Sequence, residues 1–357
     1  MIDASSQRLA VEAHQQSPNG MLDLRTSGDE IDFLRPTLDV VWASWLEEIG
    51  GPKATLEMAS DYGFGDPYGE KRGAATLADH HGAKLEAGSI TFSAGISAFL
   101  RQLAEAGAGG SALVERLGHP DLAYWARAVG SRIHTYEDHV SLPALIHELH
   151  PSIVGIDRPN VLGDLLPLEF FREVSAAAVE TGALVLVDEA YANYLGPEVS
   201  LVQHVRELQR VVVLRSLSKA YRMGGLRVAY AVAAPDAKDE VRRCIAPLGT
   251  STLPLLFGLR LLSEGDIFLE LRRRTTITKA AATKLLAGIG LSVVPVNPCL
   301  PWVILEDAGN KASDSLEARE IVSRKVPLGA GGNSGLAKLV APLSAARWQA
   351  FVDCFAR

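Results

Sequence analysis

Cysteine is scarce in this chain: three among 357 residues, Cys244, Cys299 and Cys354, far apart and without CxxC or CxxH spacing. That argues against a disulfide framework or a zinc site, and makes reduced cytosol the expected compartment. Long apolar runs are missing too, and none approaches the length that crosses a bilayer. The opening segment, MIDASSQRLAVEAHQQSPNG, has no basic stretch followed by an apolar one, so no signal peptide is expected. Nor is there an excess of positive charge. With 35 Lys and Arg against 42 Asp and Glu, the net charge is −7, and nothing draws the whole chain to nucleic acid or an anionic membrane. Histidines pair at His80/His81 and His147/His150. No carboxylates in an HExxH arrangement accompany them, so no metal is expected and all four read as surface residues.

What is present suits a compact enzyme: 48% of residues are hydrophobic and 22% charged. From Ser89 to Ala234, short β-prone runs alternate with helical stretches. The runs are SITF, SALVE, RIHTY, SIVGI, ALVLV, VVVL and VAYAVA. Between two of them, PLEFFREVSAAAVETG reads as an amphipathic helix closed by Gly182. Strands that are apolar throughout belong in a sheet covered on both faces. The fold class is therefore α/β, a mostly parallel sheet of roughly seven strands covered by helices. After Pro254 a basic-rich helix, two apolar runs and a final helix outline a smaller α+β C-terminal domain. The expected division is a large domain over residues 50–250, with 1–49 and 251–357 forming the small one. The run LRRRTT reads as a solvated helix face, since it lacks interleaved aromatics.

In a parallel sheet, ligands bind beyond the carboxyl ends of the strands. Asp188 and Tyr191 follow ALVLV, and Ser216 and Lys219 follow VVVL. SITF runs into Ser93-Ala94-Gly95-Ile96-Ser97, a small-residue turn whose backbone N–H groups suit a phosphate. SIVGI runs into Asp157-Arg158-Pro159-Asn160, where Asn160 offers a hydrogen bond. Singly, each has an ordinary reading: a loop lysine, a helix-capping aspartate, a turn asparagine. Together they supply what pyridoxal phosphate (PLP) needs. A lysine holds its aldehyde as a Schiff base, a carboxylate keeps its ring nitrogen protonated, and hydroxyls, amides and a cation, Arg227, hold its phosphate.

The segments SLSKAYRMGGLRVAY and VLVDEAYANY resemble the signatures of class I/II aminotransferases, fold-type I PLP enzymes, with histidinol-phosphate-aminotransferase-like members nearest in pattern. The resemblance implies Lys219 as Schiff-base lysine and general base, Asp188 as partner of the pyridine nitrogen, and Tyr191 and Asn160 as partners of the ring hydroxyl. Gly95, Ile96, Ser97, Ser216 and Arg227 would hold the phosphate, and His119 would stack on the ring. The family works as homodimers, and Tyr62, with Phe64 and Tyr68 as rivals, would reach the neighbouring subunit's phosphate. Three departures stand out. The family's Asn-Pro-Thr-Gly turn has become Asn160-Val161-Leu162-Gly163, Arg222 stands where a small residue is usual, and Lys338 replaces the arginine that grips the substrate carboxylate. A lysine lacks the planar fork of a guanidinium.

The leading expectation is an aminotransferase acting on an amino acid or related amine. The missing arginine motivates an alternative on the same fold: a lyase, decarboxylase, cyclase or oxidase of a specialised amino acid. A PLP-binding transcriptional sensor would require an appended basic DNA-binding domain, which the chain has no room for.

Overall fold

The computed structural model describes residues 20–26 and 28–356, so the opening segment in which no signal peptide was expected lies almost wholly outside the described residues. Seven strands form one sheet: β1 (Ile90–Ser93), β2 (Ser111–Glu115), β3 (Arg132–Tyr136), β4 (Ile153–Asp157), β5 (Leu184–Asp188), β6 (Val211–Ser216) and β7 (Ala229–Ala233). Their order is β1-β7-β6-β5-β4-β2-β3. The β3-β2-β4-β5-β6 block is parallel throughout. β7 runs against both its neighbours. The sheet is thus mostly parallel, as the alternation of runs and helices implied, and each strand lies within two residues of its apolar run. β2, β6 and β7 are buried along their whole length, which is what a sheet covered on both faces requires.

The covering helices include α1 (Ile31–Glu48), α2 (Glu70–His81), α3 (Ile96–Leu103), α4 (Leu168–Thr181), α5 (Thr252–Leu262) and α6 (Leu269–Gly288). On α4 the buried positions Phe171, Val174 and Ala178 recur at helical spacing. Gly182 then ends the helix at φ +79°, its N–H bonded to Ala178 O at 2.8 Å. α1 packs against α5 through Trp45, which meets Phe257 at 5.2 Å between ring centres.

α2 corrects one expectation. Gly73, Leu77 and His81 share its buried face at four-residue spacing, so His80 and His81 are not surface residues. His81 Nε2 lies 2.9 Å from the Tyr230 hydroxyl, and His80 Nδ1 lies 3.0 Å from Leu262 O. Burial, reinforced by Arg215, holds both below the ordinary imidazole range, His80 at about 4. His147, by contrast, is exposed, 3.7 Å from Glu180.

Four further strands, β8 (Val293–Val294), β9 (Trp302–Glu306), β10 (Arg324–Pro327) and β11 (Asn333–Val340), make an antiparallel sheet in the order β10-β11-β9-β8. It has its own core, where Val303, Leu305 and Leu339 meet Ala282 and Leu286 of α6 and Leu24 of the N-terminal segment. Leu22–Asp23 pairs in parallel with Ile321–Val322, while α1 joins the core of the large sheet. LRRRTT is only partly solvated. Leu271 and Thr275 are buried, and Arg274 donates to Leu343 O at 2.9 Å. Among the described residues no helix is long and apolar enough to cross a membrane.

Candidate active site

Parallel strands carry their last residues to one edge. Here Glu115, Asp157, Asp188 and Ser216 end β2, β4, β5 and β6. Lys219 follows three residues after Ser216, in a turn closed by Arg222 N–H on Lys219 O at 2.9 Å. A cleft opens there, and Asp188, Tyr191, Lys219, His119 and Arg227 all line it.

One end of the cleft is built for an anion. Gly95 carries the chain from β1 into α3 at φ +100°, and a Cβ at that position would collide with the Arg227 guanidinium. Arg227 Nη2 donates to Ala94 O at 2.9 Å and Nη1 to Gly224 O at 3.2 Å. Ile96 and Ser97 occupy the first turn of α3, where the helix supplies no acceptor for their N–H groups. The side chains of Ser97, Ser216 and Ser218 border the same space. Amides, hydroxyls and a guanidinium are what a phosphate requires.

The middle of the cleft holds the amine, the acid and the phenol. Lys219 Nζ lies 5.4 Å from the Tyr191 ring centre. Burial alone would push the Tyr191 phenol up, but the charges of Lys219, Lys338 and Arg324 bring it down to about 8. Asp188 Oδ1 accepts the Ala190 N–H at 2.8 Å. Burial raises Asp188 to about 6, against the pull of that N–H and of Lys219. His119 keeps 46% of its side chain exposed in the cleft, while its N–H donates to Asp157 Oδ2 at 2.8 Å.

The far half belongs partly to the small sheet. Lys338 Nζ sits 3.8 Å from the Trp302 ring centre and 5.1 Å from that of Tyr191, a cation over aromatic faces. Burial lowers its proton affinity; Tyr191 opposes this, and Lys219 and Arg324 add to it. Arg324 is the cross-strand partner of Lys338 and lines the same space. Trp302 Nε1 donates to Val161 O at 2.8 Å, tying β9 to the turn after β4. Asn160 also borders this half, but its amide is spent within the protein. Its Nδ2 donates to Glu115 Oε1 at 2.9 Å and Asp164 Oδ2 at 3.0 Å, and its Oδ1 accepts Asp164 N–H at 3.0 Å.

Beneath these residues lies a buried ionic triad. Glu189 accepts from Arg158 at 3.0 Å and from Arg215 at 2.8 Å, with Ser200 Oγ and Leu201 N–H completing its shell. Arg215 also bonds Asn193, whose amide donates to Ser216 O at 3.0 Å. The turns after β4 and β5 and the end of β6 are thereby tied together.

The family model for aminotransferase class I and II matches residues 35–326. The chain belongs to the class I/II aminotransferases. An aromatic amino acid aminotransferase of Mycobacteroides abscessus is 31% identical over 202 residues, 56% of either chain, so the match spans little more than half the length of that curated relative. Among solved structures, a histidinol-phosphate aminotransferase of Clostridium acetobutylicum superposes at TM-score 0.73 with 16% identity, covering 94% of this chain and 98% of that one. Another, from Sinorhizobium meliloti in complex with pyridoxal 5′-phosphate, superposes at TM-score 0.70 with 19% identity, covering 98% and 94%. At such identities the two structures establish the shared fold.

Within this aminotransferase fold, Lys219, Asp188, Tyr191, Ser216, Arg227, His119, Ile96 and Ser97 border one cleft, with Gly95 shaping its anion end. Lys338 and Asn160 border its other half. Tyr62 stands apart: 73% exposed and stacked on the equally exposed Phe64, ring centres 5.2 Å apart. Tyr68 is engaged with Arg242, whose guanidinium lies 5.1 Å from its ring centre. Two residues escaped the sequence reading. Arg324 precedes Lys338 by fourteen residues, and only the hairpin register brings them together. Asp157 was visible as a strand-end acid like Asp188, and that equivalence was the available signal.

Proposed function

We propose that this chain is a PLP-dependent aminotransferase acting on an amino acid or related amine, with Lys219 as covalent anchor and proton carrier. The observation that carries this reading is the convergence of Lys219, Asp188 and Tyr191 on one cleft whose end is the Gly95–Arg227 cradle. The cofactor is pyridoxal 5′-phosphate. When bound, it acts as an electron sink for a bond breaking at the substrate's α-carbon.

The donor set fits it. The Lys219 amine, the Asp188 carboxylate and the Tyr191 phenol are three unlike groups, each suited to a different atom of the ring, and the missing side chain at Gly95 lets the Arg227 guanidinium lie against the turn that would receive the phosphate. Lys219 moves a proton at the substrate's α-carbon as general base. Asp188 holds the ring nitrogen's proton, Tyr191 holds the ring hydroxyl, and Ser97, Ser216, Arg227 and the first N–H groups of α3 hold the phosphate. Arg324 and Lys338 receive an anionic group of the substrate, the guanidinium supplying the fork that Lys338 lacks. Tyr62 and Phe64, exposed and stacked, are offered to a second copy in a homodimer.

The test is a visible spectrum of the purified protein, wild type and Lys219→Ala. The wild type should be yellow and lose its colour on borohydride treatment, and addition of an amino donor should change the spectrum. The variant should be colourless and insensitive to borohydride. A wild type that takes up no PLP, or a Lys219→Ala variant that behaves like it, overturns the reading. Lys338 in place of the family's arginine favours a second one, a decarboxylase or lyase of a specialised amino acid. Product analysis separates them: transamination passes the amino group to a keto acid, whereas the alternative consumes the donor without passing it on.

A further inference from the structure

The site contains two carboxyl groups that its proposed chemistry does not use: Asp121, whose Oδ2 accepts the Ser97 hydroxyl at 3.0 Å, and Asp157. Asp157 and Asp188 end neighbouring parallel strands and are direct register partners, Cα against Cα, so their side chains leave the sheet on the same side. Both line the cleft. Each has one oxygen fixed by a backbone N–H, from His119 at 2.8 Å on Asp157 Oδ2 and from Ala190 at 2.8 Å on Asp188 Oδ1. Among the described residues, Asp157 Oδ1 receives no hydrogen-bond donor, so that oxygen remains available beside Asp188. Glu115, a third carboxylate, approaches from behind, 3.4 Å from the Asp157 N–H.

We propose that Asp157 is a positioning residue of the cofactor subsite: a neutral acid that donates its proton to Asp188, orients that carboxylate, and confines the pair to a single negative charge. The inference rests on the reading of Asp188 as partner of the ring nitrogen. Adjacent carboxyl groups cannot both ionise at little cost, and the pair settles by sharing a proton. The surroundings decide which member keeps it. Asp157 faces Glu115 from β2, Tyr136 from β3 and Asp188 from β5, with His119 and Asp121 on the segment after β2 and Lys219 beyond β6. Burial, then Asp188 and Glu115, push it well above the ordinary aspartate range, and only the His119 N–H opposes them. Asp188 is raised by burial too, but the Ala190 N–H and Lys219 both pull it down. Asn160, the neutral donor anticipated at this site, is already committed to Glu115 and Asp164.

Two measurements test this, one needing no cofactor. In the PLP-free protein, a carboxyl raised on folding contributes stability that is complete below about pH 4, the ordinary aspartate range, and is lost as pH climbs through the raised value. Wild-type Tm should therefore fall from pH 4 to 7 by on the order of 3 °C more than that of Asp157→Asn. In the holoenzyme, Asp157→Asn, which keeps a neutral donor, should leave the pH midpoint of the cofactor's visible absorbance within about 0.3 unit of wild type. Asp157→Ala should weaken PLP binding about tenfold or more, the loss of a hydrogen bond to a charged group. A midpoint moved by a full unit in Asp157→Asn means that a charge was removed and overturns the proposal. So do parallel Tm profiles for wild type and Asp157→Asn, or wild-type PLP affinity in Asp157→Ala. If the wild type binds no PLP at all, the reading of the site fails, while the Tm comparison still judges the proton on Asp157.

Discussion

At the scale of the residue, the site works by placing unlike charges around one phenol. Tyr191 has Lys219 Nζ 5.4 Å and Lys338 Nζ 5.1 Å from its ring centre, and these cations, with Arg324, bring its phenol down to about 8 against burial. In the PLP-free protein an absorbance titration near 295 nm should show one tyrosine ionising with a midpoint near 8, absent from Tyr191→Phe. Lys338→Met should move that midpoint upward, because a cation that stabilises the phenolate has gone. No upward movement would mean that Lys338 does not feel Tyr191. The lysine and acid of the cleft were legible in the sequence because Asp188 stands directly after one apolar run and Lys219 in the short turn after the next. The state of Asn160 was not, since its bonds to Glu115 and Asp164 join three segments. His81 was misread because His80-His81 looks polar as a dipeptide, although its spacing from Gly73 and Leu77 sets it on the buried face.

At the scale of the element, the strand ends are held by the buried triad. Among the described residues, Glu189 is the only acid binding both Arg158 and Arg215, and its side chain is fully buried. Glu189→Ala would leave two guanidiniums without their carboxylate, and should cost about 3–5 kcal/mol of stability in a urea melt. A loss below about 1 kcal/mol would show that water or neighbouring groups already satisfy the arginines. The strands themselves were readable to within a residue or two, since apolar runs of this length have few other fates. The direction of β7 was not, because an antiparallel strand buried on both faces has the same composition as a parallel one. Arg324 was missed for a related reason: a side chain's partner across a hairpin depends on a register that spacing alone leaves open.

At the scale of the whole molecule, the stretch of chain from α1 to Phe64 carries apolar side chains in water. Trp42 on α1, Leu56 on the following helix, and Tyr62 and Phe64 beyond it are 45–73% exposed. Such a patch suits burial against another copy of the chain. Light scattering should give about twice the 38.2 kDa of the chain. Leu56→Asp together with Phe64→Asp should shift that mass to the monomer; a wild type that is itself monomeric would remove the proposed role of Tyr62.

The register of the small sheet has a consequence of its own. Arg324 and Lys338 face one another across β10 and β11, and like charges so placed weaken a strand pair. A negatively charged molecule bridging them quiets that repulsion and, by mass action, tightens the hairpin as its concentration rises. A ligand held by this pair would thus become a structural member of the wall that receives it.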